Sequence, residues 1–242
     1  MIRPFAVWAG VFLASGVIPG AIAAQSASDR AAWDALILSP IGALAPLSRD
    51  PVDGDARQSN VWLRYGRWRY DVDDAIHNNT GLTVFRQLPF ASSELSITGA
   101  YLSLSCATCP SWISGGVGLQ STLWQTGALD ERSGSVGLRA DVGGARYRGT
   151  SQTTAASAAG AVVLGFGVPL IGKSHLSATV SPGIGVGRIA LVDGIQTGVR
   201  PTLGASLAWI HATGFTVNLG MQRIVIAGGP TQVGAGIGWS RQ

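Results

Sequence analysis

Several clusters in this 242-residue chain have residue types and spacings that chemistry uses. Cys106-Ala107-Thr108-Cys109, followed by Pro110, has the spacing of a reactive dithiol. Redox work at such a pair needs a low-pKa thiolate at a helix N-terminus in a βαβ setting. This pair falls in a predicted turn between two strand-like segments, so in an exported chain a local disulfide is expected. Gly167-Val168-Pro169-Leu170-Ile171-Gly172-Lys173-Ser174 satisfies the phosphate-loop pattern, and the apolar run ending in Asp193 imitates a magnesium-holding acid. Phosphate binding there requires a helix after the loop, so that backbone N–H groups and the helix dipole hold the anion. His175 to Val186 instead alternates with period two and contains Pro182, Gly183 and Gly185. These residues therefore predict strand, turn and strand, with no nucleotide and no other cofactor.

His175-Leu176-Ser177 places a base two residues from a hydroxyl nucleophile, the elements of acyl transfer. The dyad needs an acid to orient the imidazole, and Asp193 lies a strand length away. Asp73 and Asp74 near His77 belong to one acidic loop. Arg64, Arg67 and Arg69 interleave with Trp62, Tyr65, Trp68 and Tyr70. That pattern suits base stacking or a strand at a membrane interface. In an exported chain the second reading holds, and no nucleic-acid partner is expected.

The elements that must carry these residues are strands. Phe215, Val217, Leu219 and Met221 alternate with Thr216, Asn218, Gly220 and Gln222, and Val233, Ala235, Ile237 and Trp239 alternate with Gly234, Gly236 and Gly238. Such alternation puts one residue set on each face of a pleated strand. The same pattern recurs over 95–101, 113–123, 136–142, 162–168, 176–186 and 202–209, which makes eight clean strands. Val61 to Tyr70 and Leu82 to Leu88 are less regular. Counting them gives ten strands, the preferred number over eight, since single-chain outer-membrane barrels use even numbers. With the C-terminus on the periplasmic side, the external loops fall at 71–80, 105–111, 147–157, 188–198 and 228–230. The internal turns fall at 89–93, 126–132, 169–174 and 211–214.

The first 23 residues read as a secretory signal. Arg3 precedes an apolar stretch from Phe5 to Ile18, Pro19-Gly20 breaks it, and Ala21-Ile22-Ala23 fits cleavage before Ala24. Residues 24–60, with Asp29, Asp34, Asp50, Asp53 and Asp55 among prolines, read as a flexible periplasmic arm. The barrel then occupies 61–242.

Composition decides which face meets what. Charged residues are 12% of the chain, mean hydropathy is +0.29, and glycine numbers 34. A soluble surface carries roughly 25–35% charge. Here the polar face of the strands is Gly, Ser, Thr, Asn and Gln, with Arg139 and Asp141 as its few charges. That face suits a narrow lumen, lined by Arg139, Asp141, Gln120, Asn218 and Gln222, while the apolar face suits hydrocarbon. Trp112, Trp124, Trp209 and Trp239 lie near strand ends, where interfacial aromatic girdles sit.

Over residues 61–240 the chain resembles the small bacterial outer-membrane β-barrel proteins of the OmpA, OmpX and OmpW class. The resemblance rests on the leader, the alternating strands and the last strand, Gln232 to Ser240. It implies a closed antiparallel transmembrane barrel, inserted by the barrel assembly machinery and surrounded by outer-membrane lipids, as a monomer or small oligomer. Members of that class end on an aromatic residue, whereas Trp239 here stands three residues before the end. The expected role is structural, adhesive or that of a small-solute pore, with no catalytic site and no metal. Two alternatives stay open. One is an outer-membrane lipid A or phospholipid acyl hydrolase using His175 and Ser177. The other is a soluble exported barrel holding an apolar ligand inside.

Overall fold

The computed structural model describes residues 59–69, 76–87, 93–104, 111–127, 131–148, 154–171, 174–191, 194–225 and 231–240. The expected leader, the arm up to residue 58, both cysteines, Asp73, Asp74, Lys173 and Asp193 lie outside the described residues. Ten strands follow one another: β1 (Ser59–Arg69), β2 (Ile76–Gln87), β3 (Ser93–Leu104), β4 (Ser111–Thr126), β5 (Ser133–Arg148), β6 (Thr154–Leu170), β7 (Ser174–Leu191), β8 (Gly194–His211), β9 (Phe215–Ile224) and β10 (Thr231–Ser240). Each pairs antiparallel with its sequence neighbours, and β1 pairs with β10, so the sheet closes on itself. The eight cleanly alternating segments are β3–β10, and β1 and β2 are described in backbone alone.

Closure is staggered. The hydrogen-bonded row that starts at Ile224, the last residue of β9, runs through Thr202, Gly183, Ala161, Arg139 and Gln120. It then reaches Glu94 and Gln87, at the start of β3 and the end of β2. A row that leaves one rim and arrives at the other is what strand tilt in a closed barrel requires. The rim bearing Ser59 and Ser240 is called here the terminal rim, and the other the opposite rim.

Period two makes the outside apolar and the inside small and polar. Ile97, Val117, Phe166, Val180, Leu207, Leu219, Val233 and Ile237 are exposed on the outer wall, whereas Ser96, Thr98, Ser135, Ser177, Thr179, Ser206, Thr216 and Asn218 are buried. In β4 a bulge between Thr122 and Trp124 shifts the register, so that Trp124 pairs with Val136 and joins the outer face. Turn chemistry is legible at residues 211–214. Gly214, at φ 85°, donates its N–H to the His211 carbonyl at 2.8 Å, and His211 Nδ1 meets Thr213 Oγ1 at 2.9 Å. Only glycine takes that φ at no cost.

The loop expectation needs correction. β7 runs to Leu191 and β8 starts at Gly194, so residues 188–198 are almost wholly strand. β2 begins at Ile76 and β6 at Thr154, which also shortens the loops expected at 71–80 and 147–157. The alternation of apolar residues stops near Val186, but no breaker residue ends the strand, and Ile195 and Val199 on β8 are still exposed and apolar. Connections at the two rims are therefore of similar length. The stretch at Gly167–Ser174 is strand and turn followed by strand, as its period predicts.

Glycine is required where backbones crowd. A Cβ on Gly183 would stand 2.5 Å from the Gly160 carbonyl oxygen and 2.8 Å from Ala161 Cβ, next to Pro182, which interrupts the β6–β7 ladder. A Cβ on Gly99 would meet nothing within 4 Å. Gly183→Ala is expected to cost about 1–3 kcal/mol by overpacking, and Gly99→Ala close to nothing. Heat-modifiable gel migration of the detergent-solubilised protein checks this: the folded band should convert to the unfolded one at a lower temperature in the first variant alone.

Candidate functional site: the lumen

The largest polar cluster among the described residues lies inside the barrel. Arg139 and Asp141 are two residues apart on β5, so both side chains leave the same face. Arg139 Nε donates to both carboxylate oxygens of Asp141, at 2.8 and 3.1 Å, and both residues are buried. Asp141 pairs across the sheet with Gly118, and Gly118 with Ser96. A Cβ at Gly118 would run into Asp141 Oδ1 and Ser96 Oγ. Glycine at 118 thus makes room for the carboxylate. Ser96 Oγ donates to the Gly118 carbonyl at 3.3 Å.

The register places two more charges on this inward face. Glu94 and Gln120 stand in the row of Arg139, and Arg200 stands in the next row, that of Asp141, reached through Ala159 and Gly185. Two acids and two bases thus occupy adjacent rows. Across from them Asn218 and Gln222 on β9 are 1% and 3% exposed. Both amide atoms of Asn218, Oε1 of Gln222 and Nη2 of Arg139 have no hydrogen-bond partner among the described residues. Thr179 and Ser206, directly paired on β7 and β8, share a hydrogen bond of 2.6 Å. Val163 and Ile224, both 0% exposed, complete the interior.

The residues expected to line the lumen, Arg139, Asp141, Gln120, Asn218 and Gln222, all stand on the inward face. His175 and Ser177 are also brought together on this face near the terminal rim. His175 is buried, because β7 starts at Ser174 and its second residue already points inward. Its ring lies over Gly167, where a Cβ would meet the imidazole and Ser133 Oγ. A lipid ester approaching from the membrane would meet the opposite side of this strand. Among the described residues no group of three His, Cys, Asp or Glu side chains is placed to hold a metal ion. Glu94 and Arg200 were missed by sequence reasoning, although carrying the period of β3 and β8 two residues further would have put both inside.

The outer wall has an aromatic row near the terminal rim. Trp209, Phe215 and Trp239, on three successive strands, stand 6.2 and 6.1 Å apart between ring centroids. Trp124 and Phe166 are exposed near the same rim. The side chain of Trp112 is outside the described set.

No protein-family model matches the chain, and no curated protein matches its sequence. Its structural neighbours are small outer-membrane β-barrels. The β domain of the Bordetella autotransporter BrkA covers 77% of this chain and 100% of its own, at 13% identity and a TM-score of 0.45. The N-terminal barrel of Pseudomonas aeruginosa OprF covers 75% and 97%, at 16% identity and TM-score 0.35. The attachment invasion locus protein Ail of Yersinia pestis covers 77% and 100%, at 11% identity and TM-score 0.35. The likeness is one of fold class: all-β, antiparallel and curled into a barrel like transmembrane β-barrels.

Removing one member of a buried ion pair strands the other. Asp141→Asn is expected to destabilise the folded barrel by about 3–5 kcal/mol, whereas Arg139→Met combined with Asp141→Leu recovers most of that loss. Urea unfolding of the protein in lipid vesicles, followed by tryptophan fluorescence, measures both.

Proposed function

We propose that this chain is an integral outer-membrane β-barrel whose lumen is closed by its own side chains, and that it serves the envelope as a membrane-anchored scaffold. The observation that carries this reading is the inverted distribution of polarity. Ile97, Phe166, Leu219, Val233 and Trp239 are 54–57% exposed on the outer wall, while hydroxyls, amides and an ion pair are buried. Soluble proteins rarely expose a continuous apolar surface larger than a few hundred Å². A wall apolar on every described strand fits hydrocarbon, and a ring without edges satisfies its backbone there. The aromatic row Trp209–Phe215–Trp239 fits a headgroup interface. With these features the outer membrane is the matching location, and the leader expected at residues 1–23 supplies the route.

Burial separates scaffold from pore. A water-filled channel would wet the side chains along its wall, yet Asn218, Gln222, Thr202, Arg139 and Asp141 are all at most 6% exposed. The described lumen is therefore packed, which disfavours the small-solute pore among the roles expected from sequence. The hydrolase reading loses its support as well, since His175 and Ser177 face the interior. An apolar ligand inside a soluble barrel would meet, among the described residues, mostly hydroxyls, amides and charges, with Val163 and Ile224 as the large apolar exceptions.

In planar bilayers the mature protein is expected to insert without steady ion-conducting steps, and Asn218→Gly with Gln222→Gly to introduce small ones. Stable single-channel steps from the unaltered protein would overturn the scaffold reading. Recovery of the folded protein in detergent-free buffer would overturn the membrane reading itself.

A further inference from the structure

The described outer wall carries three charged side chains, and all are arginines towards the opposite rim: Arg146 on β5, Arg188 on β7 and Arg223 on β9. Each is exposed. Among the outward residues whose side chains are described, the terminal half of the same wall is apolar or aromatic and holds no charge within its strands. This asymmetry has a direction, since it sets cations at one boundary of the apolar belt and indole rings at the other.

Arg146 and Arg188 form a unit. Arg146 pairs directly with Thr154 on β6, and Arg188 pairs with Ala156 on the same strand. Thr154 and Ala156 are consecutive outward positions, both exposed, so the two guanidinium groups flank a shallow floor of one hydroxyl and one methyl. Their strands are two apart, about 10 Å. Thr197, opposite Arg188 on β8, adds a second exposed hydroxyl. Further down the same strands, beyond Gly144 and Val186, stand Val142 and Ile184, exposed and apolar. Among the described outward residues nothing acidic competes for these cations.

We infer that Arg146 and Arg188, assisted by Thr154 and Thr197, bind a phosphate of an acylated glycolipid of the lipid A class in the outer leaflet. The acyl chains of that lipid lie along Val142 and Ile184. Arginine suits the task because its planar fork grips phosphate oxygens two at a time, at a boundary where water is scarce. Such a contact also fixes the barrel's orientation, with the opposite rim outward. The inference rests on the membrane-spanning reading given above.

The test uses the full mature chain refolded in detergent. The probes are bis-phosphorylated lipid A, chemically dephosphorylated lipid A, and phosphatidylglycerol at equal phosphate. The readout is the temperature at which the folded gel band converts to the unfolded one. Bis-phosphorylated lipid A is expected to raise it by several degrees and the dephosphorylated lipid not to raise it. Arg146→Gln with Arg188→Gln should cut the shift to less than about half. If that pair does not fold, Arg146→Lys with Arg188→Lys, which keeps the charge and loses the fork, should give an intermediate shift. A shift undiminished in the variants, or equal with the dephosphorylated lipid or phosphatidylglycerol, overturns the inference. Failure of the unaltered chain to enter phospholipid vesicles at all would instead overturn the membrane-spanning reading, so the two failures are distinguishable.

Discussion

Every other feature of this barrel depends on the backbone ladder being closed. In hydrocarbon no water is present to receive an unpaired N–H or C=O, and each one left over costs several kcal/mol. The β1–β10 pairing, from Asn60 with Ser240 to Arg69 with Thr231, removes the two edges that an open sheet would present. Closure then imposes tilt and stagger, and the stagger decides which side chains become neighbours. Glu94, Gln120 and Arg139 come from three strands but lie in one row because the register puts them there.

Closure also explains the residue sizes. A ring of this circumference leaves an interior that side chains nearly fill. Glycine and alanine on β6 and β7 concede the space that Arg139, Asp141, Asn218 and Gln222 occupy. Gly118 yields to the Asp141 carboxylate, and Gly167 to the His175 ring. The interior is thus packed by matching an absent Cβ to a long polar group. That matching makes the buried charges tolerable, since Arg139 Nε and the Asp141 carboxylate pair at hydrogen-bond distance.

Much of this is legible in the residue order. Period two identifies the inward face of β9 from Thr216, Asn218 and Gln222, and that of β5 from Arg139 and Asp141, because a pleated strand admits no other arrangement. Scarcity of charge on the polar face assigns the apolar face to lipid. Strand ends are less legible. β7 and β8 persist past Val186 and before Thr202 because nothing in Gly187-Arg188-Ile189 or Thr197-Gly198-Val199 breaks a strand. At the other end of β7 the turn expected at 169–174 is shorter than its glycine and lysine suggest, because β6 runs to Leu170 and the ladder resumes at Ser174. The outward arginines follow from parity once β5 and β7 are given their true lengths. Their relation across β6 depends on register, which alternation alone does not contain.

The unequal ends of β8 and β9 have a further consequence. Among the described residues β9 ends at Ile224, opposite Thr202, and Val225 donates one last hydrogen bond to the Pro201 carbonyl. From Gly194 to Arg200, β8 is paired to β7 on one side with no described β9 residue on the other. Among the described residues β8 is therefore an edge over this stretch, backed by β7 and, as far as Ile189, by β6. Alternate amides from Gly194 to Val199, those turned away from β7, face no ladder among the described residues. The barrel is consequently rigid where it crosses lipid and compliant at one sector of its rim. Deuterium entering the folded protein should mark that sector at every second residue.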